Sequence, residues 1–124
     1  MNPSVQLWLD KAEEDWLAAG WLLEESSPVT TPALFHMQQG VEKLLKAYLV
    51  SKEIEFERKH DLAYLLILTK DNRLGNYRDL LDELNPFAVE IRYPGDLPLF
   101  SKNEARHLLQ RVGELRDDIL SFLG

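Results

Sequence analysis

Apolar positions recur at helical spacing along nearly the whole chain. From Ser4, read as an N-cap behind Pro3, the residues Val5, Trp8, Leu9, Ala12, Trp16, Ala19 and Leu23 share one face, with Asp10, Lys11, Glu13 and Glu14 turned away from it. The stretch SSPVTTP predicts an end near Glu25. A second helix is expected from Pro32 to Lys52, because proline suits the first turn and Leu34, Met37, Val41, Leu44, Leu45 and Tyr48 make a stripe. The charged connection EIEFERKH leads to Asp61, a cap for a third helix, DLAYLLILTKD, which Asp71, Asn72 and Gly75 close. Asn76 is read as the cap of a fourth helix carrying Tyr77, Leu80, Leu81 and Leu84. Pro86 should kink or restart that helix, with Asn85 as a local cap. RYPGDLPLF reads as a loop. Ser101 and Glu104 then form a capping box that opens a last helix, whose buried face is Ala105, Leu108, Leu109, Val112, Leu115, Ile119 and Leu123.

No segment alternates with period two for long enough to make a strand. The pattern therefore predicts an all-α fold, an up-and-down bundle of four long helices plus one short helix, in a single domain over residues 1–124. Leu7, Leu17 and Trp21 are apolar but lie off the first stripe, so they either widen the core or form a contact patch. That patch motivates an expected homodimer. Gly20 and Gly40 fall inside helices, where each costs up to about 1 kcal/mol relative to alanine. Close helix packing is the simpler reason for them, and room for a ligand or second subunit the alternative.

Charge narrows the function classes. Fourteen Lys and Arg face 21 Asp and Glu, a formal net charge of -7, which does not advertise a nonspecific nucleic-acid or membrane surface. Cysteine is absent, which excludes disulfides and thiolate chemistry. No apolar run approaches the roughly 18 residues of a spanning helix. The start MNPSVQLWLDKAEEDW places acids where a signal peptide needs apolar residues, so the expected location is cytoplasmic. No metal site and no cofactor are expected, since H-E-x-x-H and inward Glu-x-x-His motifs are missing and Glu13, Glu14 and Asp15 point around a helix in different directions. No G-x-S-x-G or phosphate-cradling glycine loop occurs either. Of the three histidines, His107 is placed on the solvent side of the last helix and His60 in a connection. His36 shares its side of the second helix with Gly40, Lys43 and Ala47, which is either a solvated stripe or a site.

The order FHMQQGVEKLLKAYLV, then KHDL, then EIRYPGD before a final helix resembles the HEPN domain, named for higher eukaryotes and prokaryotes and a proposed nucleotide binding. The likeness runs from Ala12 and Asp15 to the last helix. It implies a five-helix bundle, frequently dimeric, whose prokaryotic members are often encoded beside a minimal nucleotidyltransferase, some as toxin–antitoxin pairs. Other members are RNases that use an Arg followed, after four to six residues, by a His. Here the required windows hold Val29, Thr30 and Thr31 before His36, Glu53, Ile54 and Glu55 before His60, and Phe100, Ser101 and Lys102 before His107. None is Arg, so no catalytic residue is assigned and the RNase reading is disfavoured.

The expected function is that of a noncatalytic HEPN protein binding a nucleotide-like ligand, a minimal nucleotidyltransferase, or both. Candidate ligand contacts are His36, Gln39, Lys43 and Lys46 on the second helix, with Arg92 and Tyr93 in the loop. Lys and Arg meet phosphate oxygens, Gln reads a base edge and Tyr stacks. The alternative is a purely structural dimeric interaction module. In that reading Gln38, Gln39 and Glu42 satisfy buried polar groups between helices and Arg92 pairs with Asp15 or Glu42.

Overall fold

The computed structural model describes residues 2–24, 30–88 and 95–123. Helix α1 spans Pro3–Leu22, α2 Thr31–Ser51, α3 Leu62–Thr69, α4 Arg78–Leu84 and α5 Lys102–Leu123. Short 3-10 segments, Asn72–Tyr77 and Asn85–Ala88, extend α4 on both sides. Three helices are long, of 20, 21 and 22 residues, and α3 and α4 are short, of 8 and 7 residues, so five helices form the all-α bundle that the periodicity predicts, with three long helices where four were expected. Among the described residues there is no strand, and no helix is long and apolar enough to cross a membrane.

Local capping differs from expectation at several ends. Asn2, not Ser4, caps α1: its side-chain oxygen accepts from Ser4 N at 2.8 Å, and Pro3 takes the first helical position, where it has no N–H to satisfy. Asp61 does cap α3, accepting from the Ala63 and Tyr64 amides. Lys70 then ends α3 in the left-handed conformation, at φ +50°, so Asp71 is the opening residue of the next segment and not a closing one. Asn76 lies inside that 3-10 segment and caps nothing. Asn85 works at a distance, its side-chain oxygen accepting from Leu62 N at 2.9 Å and so tying α3 to the end of α4. The Ser101–Glu104 box forms as expected, with reciprocal bonds of 2.9 and 3.1 Å.

Helix α2 is the hub. It runs antiparallel to α1, touches α3, α4 and α5, and buries residues all around its circumference, from Leu34 and Met37 to Glu42, Lys46 and Leu49. The tightest crossing is with α1 at Gly40. A Cβ there would stand 3.4 Å from Asp15 Cβ and 3.5 Å from the Ala12 carbonyl oxygen, so close packing explains this glycine. Leu74, Leu80, Leu81, Leu84 and Phe87 close the core beneath α2. Leu7, Leu17 and Trp21 do not widen the core; they are exposed at 61%, 43% and 70%.

A second fixed point lies at the start of the 3-10 segment that leads into α4. Asp71 accepts from the Tyr48 hydroxyl at 2.7 Å, from the Arg73 amide at 3.0 Å and from the Arg73 guanidinium at 2.6 Å. The Arg73 side-chain bond first, then that from Tyr48, hold the Asp71 carboxyl well below the ordinary carboxylate range.

Two predictions follow from these packing points. Gly40→Ala should change stability by less than about 1 kcal/mol, because a methyl meets ordinary contact distances and the helix gains propensity. Gly40→Leu should cost about 1–3 kcal/mol or more by overpacking, both values read from urea unfolding. Because the Asp71 pKa is lowered on folding, its stabilisation is present above the unfolded carboxyl pKa of about 4 and is lost as pH falls through the folded value. Asp71→Asn should therefore flatten the acid limb of a stability-against-pH curve while wild type keeps falling.

Candidate functional site

The polar residues of α2 are organised by two carboxylates. Asp15 sits on the buried face of α1, three residues after Ala12 and four before Ala19, opposite Gly40. Its Oδ1 meets His36 Nδ1 at 2.9 Å and its Oδ2 accepts from Lys43 Nζ at 2.5 Å. His36 and Lys43 are seven residues apart, two turns of α2, and so reach the same carboxylate from either side of Gly40. The Asp15 side chain is 10% exposed, Lys43 25% and His36 34%, so this cluster opens to the surface through its cationic members. A carboxylate only accepts, so His36 Nδ1 is the donor in this contact.

The second cluster is deeper. Glu42 and Lys46, one turn apart, pair at 2.9 Å with side chains only 5% and 8% exposed. The Lys46 ammonium also lies 5.5 Å from the Trp8 ring centre and 5.7 Å from that of Phe56, two aromatic faces that replace lost water. The remaining Glu42 lone pairs take His60 Nδ1 at 3.0 Å and Gln38 Nε2 at 3.4 Å. Gln38 also donates to the His60 carbonyl at 3.2 Å, and Gln39 donates to Gln38 Oε1 at 2.7 Å. The chain between α2 and α3 is thereby fastened to the middle of α2.

These contacts bear on the polar side of α2, expected as either a solvated stripe or a site. Lys46 is a buried, paired cation and not a member of a solvated face. Lys43 is held by Asp15. The structure brings His36, Lys43 and Asp15 together, and separately Gln39, Gln38, Lys46, Glu42 and His60. Arg92 and Tyr93 lie outside the described residues. His107 is on the exposed side of α5, as expected. Sequence reasoning offered Gln38, Gln39 and Glu42 as buried polar partners only in the structural alternative, gave Asp15 and Glu42 no partner but Arg92, and passed over His60. Asp15 carried a signal, an acid at a core position of its own stripe. Glu42 and Lys46 carried a weaker one, an i, i+4 ion pair, which most often marks solvent.

The buried pair makes a quantitative prediction. Glu42→Gln leaves the Lys46 ammonium desolvated with no counter-charge and should cost about 3–5 kcal/mol in urea unfolding. Lys46→Met should be milder, since Glu42 keeps its bonds to His60 and Gln38 and methionine fills the slot between Trp8 and Phe56.

Comparison with known proteins agrees with this architecture. The HEPN domain model matches residues 5–121. The fold superposes on the crystal structure of an archaeal HEPN homologue with a TM-score of 0.77, over 97% of this chain and 98% of that one, at 20% sequence identity. No curated protein matches the chain. A match that begins in the first turn of α1 and ends in the last turn of α5 takes in every helix and both carboxylate clusters: this chain belongs to the HEPN domain family.

Proposed function

We propose that this HEPN domain is a noncatalytic binding protein that works through a helix face offered to a protein partner, with the α2 polar row serving as a clamp inside the fold. One observation carries the reading. Asp15 already engages His36 and Lys43, and Glu42 already engages Lys46 and His60. A phosphate arriving at α2 would compete with a carboxylate for each cation it used, and Lys46 would in addition have to leave its place between two rings. The partner class suggested by the family is a separately encoded minimal nucleotidyltransferase, in a pair of toxin–antitoxin type. Against turnover, no His is preceded by Arg at the RNase spacing. The carboxylate contacts of His36 and His60 supply orientation but not the positive charge that the Arg of that motif brings.

A specific observation favours a second reading, nucleotide-like ligand binding at the outer cluster. His36 and Lys43 keep a third and a quarter of their side-chain surface, so an anion sharing Lys43 with Asp15 has access from solvent. A purely structural homodimer, with Leu7, Leu17 and Trp21 against a second copy, remains the reading without an outside partner.

Titration calorimetry with ATP, GTP and their diphosphates at fixed low salt separates these readings. The expected result is no saturable heat and no thermal shift. Saturable binding that Lys43→Ala abolishes would move the ligand reading to first place. Incubation of total RNA with the purified chain should give no cleavage, and cleavage lost in His36→Ala or His60→Ala would overturn the noncatalytic reading.

A further inference from the structure

Helices α1 and α5 run antiparallel but make only part of a contact, because both are packed chiefly on α2. A groove of about 250 Å³ lies between them near the start of α1. Its floor is apolar, made by Leu9, Leu44 and Leu120. Leu9 and Leu44 are buried, whereas Leu120 is 45% exposed, so the floor continues to the surface. The volume falls below the roughly 300–1,000 Å³ usual for small-molecule sites and suits an inserted side chain.

The rim has one sign of charge in excess. Asp10 and Glu13 line the groove, with Glu14 beside them on α1 and Asp117 beside Arg116 on α5. Two cations answer these four carboxylates. Arg116 is divided between Glu13 and Asp117, at 3.3 and 3.2 Å, and Lys11 is taken by Glu14 at 3.4 Å. Among the described residues Asp10 holds only the neutral amide of Gln6, at 2.8 Å. From Glu13, Leu17 and Trp21 follow at successive steps of four residues, so they continue the same side of α1 beyond the groove. The exposed apolar residues thus form a track along α1, at the spacing of helical turns, that starts in a pocket edged with acid.

We propose that this α1–α5 groove docks a basic amphipathic helix of another protein, with one apolar side chain seated over Leu9, Leu44 and Leu120, further apolar residues on Leu17 and Trp21, and Lys or Arg against Asp10 and Glu13. This deepens the partner-binding reading and rests on it. A helix laid along α1 repeats the same pitch of about 5.4 Å per turn and so meets the anchors in register. The charge decides between occupants. A second copy of this chain would bring two acidic rims together, in a protein of net charge -7, whereas a basic helix gains charge pairing and faster association.

The test is a titration of the full-length chain, followed by backbone amide shifts in NMR, with a synthetic Leu/Lys amphipathic peptide of about 18 residues, or five turns. Its Leu/Glu counterpart and a Lys-rich peptide without leucine serve as comparisons. The expected result is binding of the Leu/Lys peptide alone, with shifts confined to α1 and the facing side of α5. Affinity should fall at least about tenfold in Leu120→Asp and in Asp10→Lys, and should weaken as salt rises. Leu120 and Asp10 are both exposed, and a thermal melt of each variant reports whether it folds. If Leu120→Asp does not fold, Asp10→Lys decides. Absent binding, equal binding of the leucine-free peptide, shifts elsewhere, or affinity unchanged in the folded variants would each overturn the proposal. So would a dimer, by light scattering, that Leu120→Asp disperses, because the groove would then belong to a second copy. None of these failures touches the noncatalytic reading, which the RNA assay tests separately.

Discussion

The close approach of α1 and α2 at Gly40 is the constraint on which the rest is built. With hydrogen in place of a side chain, the α2 backbone comes within contact distance of Asp15 and the Ala12 carbonyl. At that separation a single short carboxylate reaches both His36 and Lys43 across the helix pair. A longer interaxial distance would leave Asp15 in an apolar layer without partners, at a desolvation cost that the remaining packing would have to absorb. The close crossing and the aspartate therefore act together, at a point where a methyl on residue 40 would already be in contact with α1.

The same logic explains why α2 carries so much charge near the centre of the protein. A helix packed against four others has little surface left for solvent, so its buried polar groups must find partners within the fold. Glu42 meets this demand with Lys46, His60 and Gln38, and Lys46 adds the faces of Trp8 and Phe56. Such a network is costly to break and adds little over a hydrophobic core of similar shape, so its value lies in fixing register. These bonds tie α1, α2 and the connection before α3 to one another.

A division of labour follows. The inner surface of α1 specifies the fold through Ala12, Asp15 and Ala19, while its outer surface carries acids and the exposed leucines and Trp21. Glu13, Glu14 and Asp15 illustrate this within one turn. Glu13 reaches Arg116 on α5, Glu14 takes Lys11 in solvent, and Asp15 turns inward to α2. In this arrangement the inner polar residues maintain the shape and the outer face is the one available to another molecule.

From sequence alone came the helical class, the five-helix order, the Asp61 cap, the Ser101–Glu104 box and most of the core stripes, because each is set by contacts within a few residues along one helix. The family resemblance was legible too, since FHMQQGVEKLLKAYLV and KHDL hold the hub helix and its fastened connection in one continuous stretch. The fate of the polar residues was legible only as an alternative, in which Gln38, Gln39 and Glu42 satisfy buried groups. A Lys four residues after a Glu looks the same on a wet helix as on a buried one, and only the arrival of α1, α3 and the connection decides which it is. Tertiary packing put Lys46 inside, gave His36 and Lys43 a common acid, and moved Asn85 from a local cap to a link with α3. Burial is a property of neighbours distant in sequence, and periodicity along one helix does not encode how many neighbours there will be.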